Sequence, residues 1–145
     1  MPARRWIALT ATLGQIVLAT LLLFAVSSGD ILVYALGDWA APWGIVLVAD
    51  RLAAWMVLTT ALLALFALLY ASGAAAADEP HSAILFQMQL FGLCGAFLTG
   101  DLFNLFVFFE ILLIASYALL LHGLGAQRVG AAMHVVVLNL VGSAL

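Results

Sequence analysis

The sequence predicts an all-α fold: a multi-pass transmembrane bundle of about five helices with one short hairpin-like extramembrane segment. Three observations lead there. First, 68% of the 145 residues are hydrophobic and 8% are charged, against roughly half and roughly a quarter in a soluble domain. Second, the long segments are apolar all the way round, with no polar stripe for water to wet, so a lipid bilayer is the solvent that suits them. Third, five apolar stretches are set apart by polar punctuation.

The stretches run from Trp6 to Val26, Arg51 to Tyr70, His81 to Leu98, Asp101 to Leu121 and Gly130 to Leu145. In the first, Arg4 and Arg5 precede the apolar run and Ser27 and Ser28 follow it, which is the outline of a signal peptide. The run is too long for that role: signal h-regions take about 7–15 residues, and a bilayer span takes roughly 20. Ser72-Gly73 closes the second helix, Thr99-Gly100-Asp101 separates the third from the fourth, and His122-Gly123 closes the fourth. Glycine ends a helix and aspartate caps the next. These first four stretches are long enough to cross. The fifth would rise only about 24 Å and reaches Leu145 without a polar cap, as expected of a chain cut inside a helix.

Between the first two helices, Asp30 to Asp50 has no helical character. Ile31-Leu32-Val33-Tyr34 and Ile45-Val46-Leu47-Val48 are β-favouring runs, and Gly37-Asp38-Trp39-Ala40-Ala41-Pro42 between them reads as a turn. The expectation is a hairpin at the membrane surface, with an irregular loop as the alternative. Open strand edges are not tolerated in hydrocarbon, which puts this piece at the interface with Trp39 and Trp43 near the headgroups. Asp50-Arg51 reads as a helix cap and interfacial anchor. A cytoplasmic N-terminus places Arg4, Arg5 and Arg128 inside and Arg51 alone outside, which follows the positive-inside bias. The Ala74 to Pro80 link is then internal, and the fourth helix runs inward.

Composition also excludes function classes. The formal charge is −3 and there is no lysine, so no phosphate-reading surface exists and nucleic acid is not an expected partner. Cys94 is the single cysteine and lies in an apolar run. It can make no internal disulfide or thiolate metal cluster and reads as packing. No phosphate loop, metal-ligand cluster or nucleophile–base pair is present, so no cofactor and no metal are expected, and neither is redox or hydrolytic catalysis.

Glu110 is the candidate for chemistry. It lies nine residues beyond Asp101, about 13 Å into the membrane by helical rise and close to the midplane. A charge there costs from a few to more than ten kcal/mol, so such a residue faces a bundle interior or a wet cavity and is a functional site by default. Burial favours its protonated form and a nearby cation favours the ionised one, so a group between those pulls can load and unload a proton. The bland alternative is a neutral Glu110 acting as interhelical glue worth about 1 kcal/mol. Phe103, Phe106, Val107, Leu113, Ile114 and Tyr117 share its face, which leaves it few donors on its own helix. The arginines all lie at segment ends, so the counter-ion is not in this sequence. Tyr117, about two turns further along, and His134, one turn into the fifth helix, are candidates for a relay, although a His near a helix end is as often an interfacial hydrogen-bonder. Gln87, Gln89 and Asn139 are expected to bond between helices, and Gly92, Gly95, Gly142 and Ser143 to let helices approach closely. Asp101 and Asn104 open the fourth helix, with capping a sufficient role for Asp101.

The stretch from Phe97 through Thr99-Gly100-Asp101-Leu102-Phe103-Asn104 and Phe108-Phe109-Glu110 to Tyr117 closely resembles the D subunit of the multisubunit Mrp/Pha-type monovalent cation/proton antiporters. Ala41-Pro42-Trp43-Gly44 on to Asp50-Arg51, and His134 to Leu145 with Asn139 inside, resemble the same subunit. The family is similar to the proton-pumping membrane subunits of respiratory complex I, with some fourteen helices and a central line of buried charges. The resemblance implies that Glu110 matches an essential glutamate paired with a lysine on a later helix. It also implies that the first helix here corresponds to the family's second, and that this sequence stops before the lysine.

The expected function is therefore a proton-translocating subunit of a multisubunit Na+/H+ or K+/H+ antiporter in the bacterial inner membrane. It would be a secondary transporter rather than an enzyme, and would work with the other subunits of the complex, protons and Na+ or K+. A membrane subunit of complex I or of a membrane-bound hydrogenase is the nearest alternative. An inactive fragment or assembly scaffold is the alternative of another class.

Overall fold

The computed structural model describes residues 2–39, 44–71, 81–121, 133–139 and 141–142. Helix α1 (Pro2–Ala25) leads into a hairpin of β1 (Leu32–Ala35) and β2 (Val46–Ala49), followed by α2 (Arg51–Ala71), α3 (Ser82–Leu98) and α4 (Leu102–Leu121). Residues 133–139 and 141–142 are also helical. This is the multi-pass helical membrane bundle with one hairpin that the composition predicts. Trp43, the Ala74 to Pro80 link, His122 and Arg128 lie outside the described residues.

Arg5–Ala25, Arg51–Ala71 and Leu102–Leu121 are each long and apolar enough to cross a bilayer. Helix α3 is shorter, at 17 residues, about 25 Å of rise and the lower limit for a span. By sequence all four stretches are long enough. The reason α3 falls short is local: it starts at Ser82, and Thr99 takes extended backbone at its end.

One end of the bundle is tied by polar contacts. Asp50 Oδ1 accepts from Ala53 N at 2.7 Å and caps α2, and Asp101 Oδ1 accepts from Asn104 N at 2.7 Å and caps α4. The Arg51 guanidinium donates to the carbonyls of Ser27 (2.7 Å) and Val26 (3.4 Å), satisfying backbone groups that the end of α1 leaves open. The strands pair antiparallel, with Leu32 opposite Ala49 and Ala35 opposite Val46. On its other edge β2 meets the α3–α4 turn, where Gly100 N donates to Val46 O at 2.8 Å and Leu47 bridges Thr99. A Cβ at Gly100 would lie 2.6 Å from Val48 Cγ2, so any larger residue would have to displace that side chain for the turn to reach the strand. The buried residues Val26, Ala49 and Ala54, with Leu22, Leu23 and Leu98 against them, form the core at this end. Hairpin, α1 terminus, α2 start and α3–α4 turn thus share one face of the bundle.

Along the bundle, α3 packs most extensively on α4 and α1 on α2, while α2 also meets α3. Gly92 and Gly95 are the reason α3 and α4 approach closely. A Cβ on Gly92 would come within 2.9 Å of Leu112 backbone, and one on Gly95 would overlap the Phe108 ring. The buried stripe of α1 runs through Ala8, Thr12 and Ala19 and continues to Val26 just past the helix end, spaced to fall on one helical face.

Candidate functional site

Helix α4 is apolar over nearly its whole length, and Glu110 is its ninth residue of 20, so the carboxylate sits at mid-helix. The face of α4 that meets α3 is fixed by the two glycine contacts, at Phe108 and Leu112, and by the buried Asn104 and Ala115. Glu110 is two residues from Leu112, about 160° around the helix, so it lies on the side turned away from α3. Its neighbours there are the exposed Phe103, Phe106 and Ile114. Glu110 Oε1 is nonetheless shielded from solvent and has no hydrogen-bond partner among the described residues. A shielded carboxyl oxygen without a donor is costly in any low-dielectric setting.

Tyr117 shares that side of α4, and its hydroxyl is likewise buried and without a partner among the described residues. Seven residues separate the two, about 10 Å of rise, too far for direct proton transfer. His134 falls in the helical segment 133–139 and is exposed. Neither Glu110 Oε1 nor the Tyr117 hydroxyl is hydrogen-bonded to it. The structure therefore puts two of the three candidate residues on one helix face and the third on another element.

Other polar expectations divide. Gln87 Nε2 donates to Ala8 O (3.2 Å) and Thr12 Oγ1 (3.1 Å), an interhelical bond between α3 and α1. Asn139 is exposed, and among the described residues nothing approaches Gly142 within 4 Å. The close approach expected at Gly142 is therefore not seen, because no described element faces it.

Two buried polar groups that lack a partner among the described residues were missed by sequence reasoning. Asn104, placed at the outer opening of α4 by its position after Asp101, is only 4% exposed, and its Nδ2 has no partner among the described residues. The available signal was its eleven-residue spacing to Ala115, three turns along the α3-facing stripe. Gln15 Oε1 on α1 is also buried without a partner among the described residues. No group of three or more His, Cys, Asp or Glu suited to a metal occurs among the described residues.

No protein-family model matches the chain. The D subunit of a probable K+/H+ antiporter of Rhizobium meliloti (strain 1021) is 57% identical over 113 residues, which is 78% of this chain and 21% of that protein. The D subunit of an Na+/H+ antiporter of Bacillus subtilis (strain 168) is 43% identical over 132 residues, 90% of this chain and 27% of that protein. The chain thus spans about a quarter of the length of these relatives. Among solved structures, the Mrp complex from Dietzia sp. DQ12-45-1b contains a chain that matches with a TM-score of 0.93 at 30% identity, covering 99% of this chain and 28% of that one. An archaeal membrane-bound sulfane sulfur reductase, a respiratory membrane complex, matches with a TM-score of 0.88 at 34% identity, covering 97% and 29%.

Proposed function

We propose, on the premise that this chain belongs to the D-subunit family of Na+/H+ and K+/H+ antiporters, that it is a proton-translocating part of such a complex in a bacterial inner membrane. Glu110 is the proton carrier. The observation that carries this reading is the shielded, partnerless Oε1 at mid-helix on the α4 face turned away from α3. A proton carrier on that face needs a cation to exchange against, and the resemblance supplies one as a lysine on a later helix. Proton release then follows the arrival of positive charge, and uptake follows its departure. The Tyr117 hydroxyl, about 10 Å along the same face, is spaced to continue the path through intervening water, and His134 is the assigned exit.

With the N-terminus in the cytoplasm, α4 starts at the outer surface beside the hairpin and runs inward, so Glu110 takes its proton midway between the two. Coupling to Na+ or K+ is assigned to the complex as a whole. The activity is secondary transport and not enzymatic turnover.

A second reading has one observation in its favour. The likeness to the sulfane sulfur reductase complex, at a TM-score of 0.88, supports a membrane subunit of a redox-driven pump, in which the same carboxyl moves protons without cation exchange. The test uses the full-length protein in its complex. Glu110→Gln and Glu110→Ala are assayed for cation-driven proton movement in everted vesicles. Loss of proton movement with retained assembly supports the proposal; wild-type rates refute it. Proton movement that needs a quinone or sulfur reductant instead of a cation gradient selects the second reading.

A further inference from the structure

We infer that one buried water is bound at the hairpin end of the bundle, between the side-chain amide of Asn104, the hydroxyl of Thr99 and the backbone carbonyl of Ala96. Asn104 is 4% exposed, and its Nδ2 has no hydrogen-bond partner among the described residues. A buried amide donor left unmatched is costly, so a group in that position calls for an acceptor.

The packing of α3 on α4 says what surrounds it. Gly92 meets Leu112 and Gly95 meets Phe108, so one more turn along this antiparallel pair brings Thr99 opposite Asn104. Helical side chains lean toward the N-terminus of their own helix, which aims the Asn104 amide at the turn between α3 and α4. The carbonyls that end α3 point to the same turn. Gly100 N stands where it would close the helix onto Ala96 O, but it donates to Val46 O of β2 instead, and Ala96 O is left to accept elsewhere. Ala96 follows Gly92 by four residues and so lies on the side of α3 that faces α4. Thr99 Oγ1 donates to Asp101 O at 3.3 Å and retains lone pairs for a further donor. One donor and two acceptors thus face the turn, within the two to four partners that a buried water takes.

Chemistry selects the occupant. An N–H donor repels a cation, and the Asp101 carboxylate, whose Oδ1 accepts from Asn104 N at 2.7 Å, repels an anion. A further segment of a longer chain has no way in, because the described elements already cover the Asn104 side chain. A small neutral molecule with both lone pairs and protons remains, and that is water. Its bonds tie the first turn of α4 to the last turn of α3, next to the link from Gly100 to the hairpin. The site therefore stands whether or not Glu110 carries a proton.

The test uses the full-length protein in its complex, with water itself as the probe. Brief X-ray pulses split water in place, and the hydroxyl radicals oxidise side chains beside a bound water. Rates are read peptide by peptide, and a switch to oxygen-18 water separates a held molecule, which exchanges slowly, from bulk solvent. Leu98 and Leu105, the neighbours of Thr99 and Asn104 in sequence, should be oxidised several-fold faster than Leu65 of α2, which is half-buried as they are. Their uptake of oxygen-18 should lag behind that of bulk. Asn104→Leu and the isosteric Thr99→Val should each lower the two rates several-fold, while Asn104→Asp, which can still bond the water, should keep them. Wild-type rates equal to that of Leu65 overturn the proposal, as does oxygen-18 uptake as fast as bulk or an unchanged rate in either Asn104→Leu or Thr99→Val. The wild-type measurement and Thr99→Val decide the matter should Asn104→Leu fail to fold.

Discussion

Replacing Gly92 with alanine tests the packing that positions α4. The added methyl would sit 2.9 Å from both N and Cβ of Leu112 and 3.0 Å from its Cα. Ordinary contact begins at 3.4 Å, so the helices must part by at least about 0.5 Å where they pack closest. The atoms encountered belong to backbone and Cβ, so no change of rotamer relieves the clash. Overpacking of this kind costs about 1–3 kcal/mol. Leu112 is two residues from Glu110, so the displacement also moves the proposed proton carrier. Gly14→Ala is the matched control: nothing lies within 4 Å of it, and alanine gains about 0.8–1 kcal/mol of helix propensity over glycine. Thermal unfolding of the purified full-length protein in detergent, alongside ion-driven proton transport in vesicles, reads both effects. Gly92→Ala should lower the melting temperature and the transport rate, while Gly14→Ala should leave both unchanged or raise the first. Equal stability of the two variants would refute the close-approach argument.

Asp101→Ala removes the α4 cap and should cost about 1 kcal/mol, with Asp101→Asn retaining most of it, measured in the same thermal assay. Arg51→Ala frees the Val26 and Ser27 carbonyls and should cost about 1.5–3 kcal/mol. It should also speed hydrogen exchange in the hairpin, and Arg51→Lys should restore only part, because an ammonium cannot span both carbonyls as a fork does.

The helices were legible because uninterrupted apolar sequence admits one solution in lipid, in which backbone groups bond within the segment. The hairpin was legible for the opposite reason: β-branched runs around a glycine–aspartate turn break the helical pattern between Asp30 and Asp50. Both aspartate caps could be read from their places before apolar runs. What the sequence does not carry is which side of α4 meets α3. A helix apolar all round has no polar face to orient it, so only the glycines at Gly92 and Gly95 hint at the contact. That ambiguity is why Asn104 reads as a surface residue while its side chain is buried. It is also why the place of Glu110, on the side of α4 turned away from α3, emerges only from the packing. Tyr117 follows Glu110 by simple periodicity, whereas no pattern within one helix could place His134 relative to either.

Transport as proposed requires the Glu110 carboxyl to gain and lose a proton inside the bundle. Infrared difference spectra of the full-length protein, recorded between low and high Na+ or K+, read that event directly. A proton-carrying Glu110 predicts a carboxylic-acid carbonyl band that changes with the cation and vanishes in Glu110→Gln. A band that persists in that variant, or a Glu110 signal that ignores the cation, would contradict it.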